Sequence, residues 1–252
     1  MSKDLSYRDY VNDGPYMDTY SKYQERYARE IRESDKVLIQ FVREHAEDGL
    51  KQGQHLTLLD IGCSTGNLLF HIKRAVPGIE LFGGDIVSSI IADCRNNPDL
   101  ASIRFAEMDM LNLARDEQFD IIVSNASLMF FNDDEFDRAI VNIGRATRSG
   151  GWFIAFDYFH PYEQAVAIIE NSQAHPQGLK FHFRGYSRGK VALEKAQFGN
   201  PEFQPFHIPI DLPKAVDPAN INTHTVRTHS GERLSFRGAL SQPWCFLLAQ
   251  KR

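Results

Sequence analysis

Five apolar runs in this 252-residue chain each close on an acid or an amide. "LTLLDI" reaches Asp60, "IELFGGD" reaches Asp85, "SIRFAEMD" reaches Asp109, "FDIIVSN" reaches Asn125 and "GGWFIAFD" reaches Asp157. Directly after the first run stands Gly62-Cys63-Ser64-Thr65-Gly66-Asn67, a loop of small residues. Glycines let backbone approach a ligand closely. A carboxylate beside such a loop repels a pyrophosphate and favours a ligand that carries positive charge. The loop lacks the lysine of a nucleoside-triphosphate site, and its G-x-x-x-G spacing is not the G-x-G-x-x-G of a dinucleotide site.

S-Adenosylmethionine meets these demands, having an ammonium, a sulfonium, one carboxylate and no phosphate. Asp60 would hold the ammonium directly or through water, with Gly62, Cys63, Ser64, Gly66 and Asn67 running beside the ligand. Asp85 lies 19 residues past Gly66, near the spacing of about 20 at which an acid grips ribose hydroxyls. Asp109 would accept from the adenine amino group, Ile86 and Met110 would sandwich the ring, and Asn125 would add a contact from the fourth strand. Each residue also has an ordinary reading. Asp60, Asp85 and Asp109 could cap the turns after them, Asn125 could be a plain loop residue, Cys63 a small filler and Gly66 a packing glycine.

Strands that alternate with helical patterns place these residues. Leu68, Leu69, Ile72, Ala75 and Val76 mark the helix after the loop, and a second helix runs from about Ser88 to Arg95. Asn132 and Glu135 predict a capping box before the helical face of Phe136, Ala139, Ile140 and Ile143. A helix from about Pro161 to Ser172 is expected after the fifth strand. Five such strands imply a parallel sheet covered on both faces, with ligands at the carboxyl ends of the strands. Upstream, Tyr16, Tyr20, Tyr23, Tyr27 and Ile31 share a helical face, and Ser34 and Gly49 predict the ends of a second helix. Beyond residue 175 the alternation gives way to short extended pieces: "KFHFRGY", "FQPFHIPI", "HTVRT", "RLSF" and "WCFLLA", with a Ser230-Gly231 hairpin turn. The expected organisation is an N-terminal helical cap over 1–50, an α/β core over 51–175, and a β-rich part over 176–252 that completes the sheet and selects the substrate.

Taken together, "LLDIGCSTGNL", "LFGGDI", "AEMDM", "FDIIVSNASLMFF" and "RATRSGGWFIAFD" resemble, in order, the corresponding segments of the class I S-adenosylmethionine-dependent methyltransferases. That resemblance implies a doubly wound, Rossmann-like α/β fold. Its seven-stranded sheet has the order 3-2-1-4-5-7-6, mostly parallel with an antiparallel final strand, for which "WCFLLAQ" is the candidate. It also implies S-adenosyl-L-homocysteine as product and an N-terminal lid, to which Tyr16 (towards the substrate) and Tyr20 (towards the cofactor) would contribute. Arg26 or Arg29 would meet the methionine carboxylate.

Methyl transfer is an in-line displacement that rests mainly on alignment and water exclusion, and a base is dispensable when the acceptor is already anionic. His160 is the candidate base, with a structural hydrogen-bonding role as the alternative. Met129, Phe130, Tyr158 and Tyr162 are candidates for the substrate pocket or for core packing. Up to residue 175 the chain has 17 basic and 28 acidic residues; beyond it, 11 and 5. That basic tail packs against the acidic body or faces an anionic acceptor, in which case Arg184 and Arg188 would bind a phosphate or carboxylate on a nucleotide-linked sugar or acidic secondary metabolite. A net charge of −5 without a dense basic stripe argues against nucleic acid. No apolar run is long enough to cross a membrane, and none forms a secretion signal. Cys63, Cys94 and Cys245 are too dispersed for a disulfide framework or a metal cluster, which suits a cytoplasmic protein. Two other functions fit the same sheet: an NAD(P)-dependent oxidoreductase and a non-catalytic S-adenosylmethionine-binding protein.

Overall fold

A computed structural model describes residues 5–11, 13–14, 17, 24–25, 27–28, 30–113, 116–172, 175, 177–219 and 221–252. Its frame is one sheet of strands β1 (Thr57–Ile61), β2 (Glu80–Asp85), β3 (Arg104–Glu107), β4 (Phe119–Asn125), β5 (Thr147–His160), β8 (Phe198–Pro205) and β12 (Trp244–Lys251). The order is β3-β2-β1-β4-β5-β12-β8. The strands from β3 to β5 pair in parallel, and β12 pairs antiparallel to both β5 and β8. This matches the expected 3-2-1-4-5-7-6 order with an inverted last strand, but two further strands that join the end of β5 bring the sheet to nine strands where seven were expected. All five residues of β1 are buried, as a strand covered on both faces requires.

One face packs against α2 (Glu33–Lys51), α3 (Asn67–Ala75) and α4 (Ser88–Asn96), through Leu38, Phe41, Leu69, Ile72 and Ile91. The other packs against α5 (Asp133–Ala146) and α6 (Tyr186–Lys195), through Phe136, Ile140, Ile143 and Leu193. A short α1 (Tyr7–Val11) joins this second cluster with Tyr7 and Tyr10. The capping box of α5 is present: Asn132 Oδ1 accepts from the Glu135 amide and Glu135 Oε2 from the Asn132 amide, each at 2.9 Å.

Two insertions decorate the frame. β6 (Val166–Glu170) and β7 (Leu179–Gly185) form an antiparallel pair that joins the end of β5 through Phe159 and His160. A separate sheet of β9 (Thr223–Arg227), β10 (Arg233–Arg237) and β11 (Leu240–Ser241) lies between β8 and β12 in sequence. Its β9–β10 turn passes through Gly231 at φ +86°.

Several local expectations are corrected. Residues 166–170 form a strand, not part of a helix, because Val166, Ala167, Ile168 and Ile169 alternate between half-buried and exposed with period two. α6 was not legible in the sequence. Its Gly189 reads as a breaker, yet a Cβ there would lie 2.8 Å from the Phe203 ring, so the glycine serves close packing. Gly49 likewise lies inside α2, where a Cβ would meet Gln54 at 2.8 Å, and the chain turns instead at Gly53 with φ +74°. Ser34 sits in the first turn of α2 rather than at its cap, which is Arg32. The "FQPFHIPI" strand stops at Pro205, and β5 continues to His160, so Asp157 is not at a strand tip.

Gly144 shows how tightly α5 and α6 meet, since a Cβ there would stand 2.6 Å from the Ala196 carbonyl oxygen and 2.9 Å from its Cβ. Gly144→Ala should lower stability by about 1–3 kcal/mol through overpacking. A lowered midpoint in urea with an unchanged far-ultraviolet circular dichroism spectrum is the expected result.

Candidate functional site

The glycine loop curls because three of its residues adopt left-handed backbone: Gly62 at φ +81°, Ser64 at +48° and Gly66 at +76°. The curl lets the Gly62 and Cys63 amides donate to the Gly84 carbonyl at 2.7 and 3.0 Å, latching the loop to β2. A side chain at Gly62 would collide with Ser127 Oγ at 2.5 Å, so the glycine is fixed by the loop after β4 as well as by its φ. Cys63 is buried, and burial raises its thiol pKa, which fits a filler rather than a nucleophile.

Two carboxylates, Asp60 and Asp85, border this loop. Asp60, in register with Gly83 of β2 and Val123 of β4, is 1% exposed. Its Oδ1 has no hydrogen-bond partner among the described residues. Burial first, then the charges of Asp35 and Asp85, push its carboxyl pKa up to about 8. Asp85 accepts from the Ser64 amide at 2.9 Å and the Val87 amide at 3.0 Å. Burial raises its pKa, and the amides of Val87, Ser64 and Ile86 oppose that rise. Each carboxylate oxygen of Asp85 has two acceptor sites, so these bonds leave capacity for a diol.

Asp109 stands two residues past the end of β3 and caps the turn Met110–Asn112, accepting from the Leu111 amide at 2.9 Å. It also receives Arg8 Nη2 at 2.8 Å and the Tyr7 hydroxyl at 3.4 Å, so the cap role is real and α1 docks on the same carboxylate. Ile86 is half-buried and Met110 buried in the core beside Asp109. Asn125, at the tip of β4, donates from Nδ2 to Asp35 Oδ1 at 3.0 Å. Asn67, opening α3, donates to the Gln24 carbonyl at 2.8 Å. Tyr7, Arg8, Gln24 and Asp35 thus bring the N-terminal segment onto the site. Sequence reasoning missed all four. An acid in a helix's first turn, as at Asp35, has an ordinary dipole-based explanation that hid it. Tyr16 and Tyr20 lie outside the described residues, as do Tyr23, Arg26 and Arg29.

The acceptor-side candidates separate. Met129 is core. Phe130 packs between Tyr10 and Phe181, with ring centroids 5.6 and 5.7 Å away. Tyr158 is buried, stacked on Phe183 at 4.8 Å and beside Trp244 at 4.3 Å, with Gln242 Nε2 donating to its hydroxyl. Tyr162 is 68% exposed. His160 pairs with Gly185 of β7, four residues past Phe156, the residue level with Asn125. That is about 13 Å further along the strand. Burial lowers the pKa of its ring.

Arg184, read in the sequence as an anion contact, is 3% exposed and committed to the protein. Its Nη1 donates to Leu128 O at 3.2 Å, its Nη2 to Phe131 O, and its Nε to Asp133 Oδ1 at 3.3 Å, over the Phe136 ring. Arg188 pairs with Asp137 at 2.6 Å and donates to Asp133 O at 3.1 Å. Asp157 completes the clamp by accepting from the Leu128 amide at 2.7 Å and the Tyr158 amide at 2.8 Å. These groups fix the loop after β4 and engage both arginines in contacts within the protein.

Residues 58–151 match the family model described as a methyltransferase domain. Malonyl-[acyl-carrier protein] O-methyltransferase of Acetivibrio thermocellus is 25% identical over 138 residues, 52% of this chain and 49% of that protein. Fatty-acid O-methyltransferase of Mycolicibacterium smegmatis is 26% identical over 172 residues, 66% of this chain and 61% of that protein. The chain thus spans about half to three-fifths of these relatives. Among solved structures, a Burkholderia thailandensis 1,6-didemethyltoxoflavin-N1-methyltransferase superposes with a TM-score of 0.60, covering 100% of this chain and 92% of that one at 14% identity. At that identity the likeness speaks for the fold alone.

Asp60 gives a test of this electrostatic picture that needs no ligand. Its folded-state pKa is raised to about 8, so its contribution to stability is fully present below the unfolded carboxylate value, about 4, and is lost as pH rises through 8. Asp60→Asn removes that loss. The variant should melt with the wild type at pH 4 and more than about 3 °C above it at pH 8.5. A melting difference independent of pH would refute the assignment.

Proposed function

Since residues 58–151 form a methyltransferase domain of the class I S-adenosylmethionine-dependent kind, we propose that this chain moves a methyl group from S-adenosylmethionine to an oxygen of a small molecule. The observation that carries the reading is Asp60, a buried carboxylate with an unpartnered oxygen beside a glycine loop, flanked by further acids. Such a site favours a cation and disfavours a pyrophosphate, which separates this reading from a nicotinamide enzyme on the same kind of sheet.

Asp60 and the loop from Gly62 to Asn67 hold the amino-acid end, Asp85 the ribose hydroxyls and Asp109 the adenine amino group, with Ile86 and Met110 against the ring. The bound sulfonium supplies a methyl group already activated for in-line displacement. The chain's work is then to align the acceptor and keep water out. Tyr7, Arg8, Gln24 and Asp35 reach the cofactor side from within the first 50 residues, which supports a lid over 1–50. Strands β8 and β12 complete the sheet from within 176–252, which supports treating that stretch as the third part of the chain.

The acceptor oxygen is one already anionic at neutral pH, a carboxylate or the oxygen of a phenol acidic enough to be ionised there. Two observations support this. His160 stands about 13 Å along β5 from the level of the strand tips, and two relatives are named as O-methyltransferases. A nucleotide-linked sugar finds less support, because Arg184 and Arg188 are held by the loop after β4. No described helix is long and apolar enough to cross a membrane. The free, buried cysteines 63, 94 and 245 fit a reducing compartment such as the cytoplasm.

Incubating the chain at neutral pH with S-adenosylmethionine and a panel of small carboxylic acids and acidic phenols should release S-adenosylhomocysteine with at least one of them. Calorimetric titration that shows binding of NAD and not of S-adenosylmethionine would defeat the proposal. His160→Gln should retain at least about half of kcat on the responding acceptor, whereas loss of a general base costs roughly 100-fold or more.

A further inference from the structure

Asp60 is not alone on its face of the sheet. Leu58, Ile121 and Val123 belong to the apolar cluster that α2 covers with Leu38 and Phe41. Strand side chains alternate, so Asp60, two residues past Leu58, and Asn125, two past Val123, lie on that same face. Register puts Asp60 opposite Val123, one diagonal step from Asn125. Onto this spot α2 brings Asp35 from its first turn, 1% exposed, with Asn125 Nδ2 on its Oδ1 at 3.0 Å.

We infer that Asp35 and Asp60 act as one carboxylate pair that takes the ammonium of the methyl donor's amino-acid end, with Asn125 as the positioning residue that holds Asp35 in place. This rests on the cofactor reading above and adds to it a residue from outside the methyltransferase domain. An ammonium has three donors, and the unpartnered Asp60 Oδ1 serves only one of them. Two buried acids repel each other until a cation stands between them. The other charged or titratable groups that face the pair are Asp85 from β2, Cys63 from the glycine loop, Arg32 at the start of α2 and His71 on α3. Burial raises the pKa of Asp35 as well, with Arg32, Asn125 and His71 opposing the rise. Because the ammonium favours both acids in their ionised form, its binding expels the proton the pair retains near neutral pH.

Calorimetry on the full chain at pH 7.5 tests the pair with two nucleosides, S-adenosylhomocysteine and 5′-methylthioadenosine, which lacks the amino-acid end. Asp35→Asn should weaken S-adenosylhomocysteine by about tenfold or more and leave 5′-methylthioadenosine within about twofold. In buffers of different ionisation enthalpy the wild type should release protons on binding S-adenosylhomocysteine but not 5′-methylthioadenosine, and the variant should release fewer. Equal weakening of both nucleosides, or an unchanged affinity for S-adenosylhomocysteine, overturns the pair. If the wild type binds neither nucleoside, the cofactor reading itself falls and the pair with it. Should Asp35→Asn fail to melt cooperatively, Asn125→Ala carries the same comparison, with the same selective loss expected at about threefold or more.

Discussion

A carboxylate taken out of water without a partner is the constraint around which this molecule is arranged. Burying an ionised acid is costly unless something compensates it, and Asp60 is 1% exposed with an oxygen that no described group reaches. The fold keeps this arrangement by making everything around it rigid. β1 is fully buried, the glycine loop is latched to Gly84, and Asp85 ties the Ser64 amide to the next strand tip. A cation that satisfied a group held this firmly would gain what the fold gave up, which is why the proposed function rests on it.

The second rigid element is the loop after β4. Asp157 receives its Leu128 amide while Arg184 takes the carbonyls of Leu128 and Phe131. Burial pushes the Asp157 carboxyl up to about 6, and the backbone amides of Tyr158, Leu128 and Met129 together with Arg184 draw it back. The β6–β7 insertion, which carries Arg184, is therefore a brace for a loop that borders the glycine motif through Ser127 and Gly62. Basic residues in the C-terminal part spend their charge inside the protein: Arg227 and Arg233 on Asp211, Arg237 on Glu170, Arg188 on Asp137. Only the Arg237–Glu170 and Arg188–Asp137 pairs join the C-terminal part to the acidic body, as mutual complementarity between the two requires; Arg227 and Arg233 are neutralised by Asp211 within the C-terminal part itself.

What could be read from the sequence followed from how local its cause is. The strand–loop–helix at 57–75 and the capping box at Asn132 depend on neighbours in the chain, and both stand where the pattern puts them. Helix α6 was missed and the strand at 166–170 misread because their signals are set by distant partners. Gly189 is needed by Phe203, and Val166 and Ile168 alternate because β7 pairs with them. The strand-tip acids Asp60 and Asp85 were legible as a chemical pattern, whereas Asp35 was not. Its place beside Asn125, 90 positions away, is a product of the fold alone.

That long-range contact bears on how the N-terminal segment behaves. Three groups at the carboxyl ends of the strands and the loops after them each receive part of it: Asp109 takes Arg8 and Tyr7, Asn67 takes the Gln24 carbonyl, and Asn125 takes Asp35. None of these segment residues belongs to the matched domain at 58–151. The segment therefore addresses the same carboxylates and amides that the proposed function assigns to the nucleoside. By linkage, whatever free energy the segment contributes to shaping the site returns as stabilisation of the segment when the site is filled. On the proposed reading, a lid built this way needs no separate hinge signal, since the groups assigned to the cofactor are the ones that hold the N-terminal segment in place.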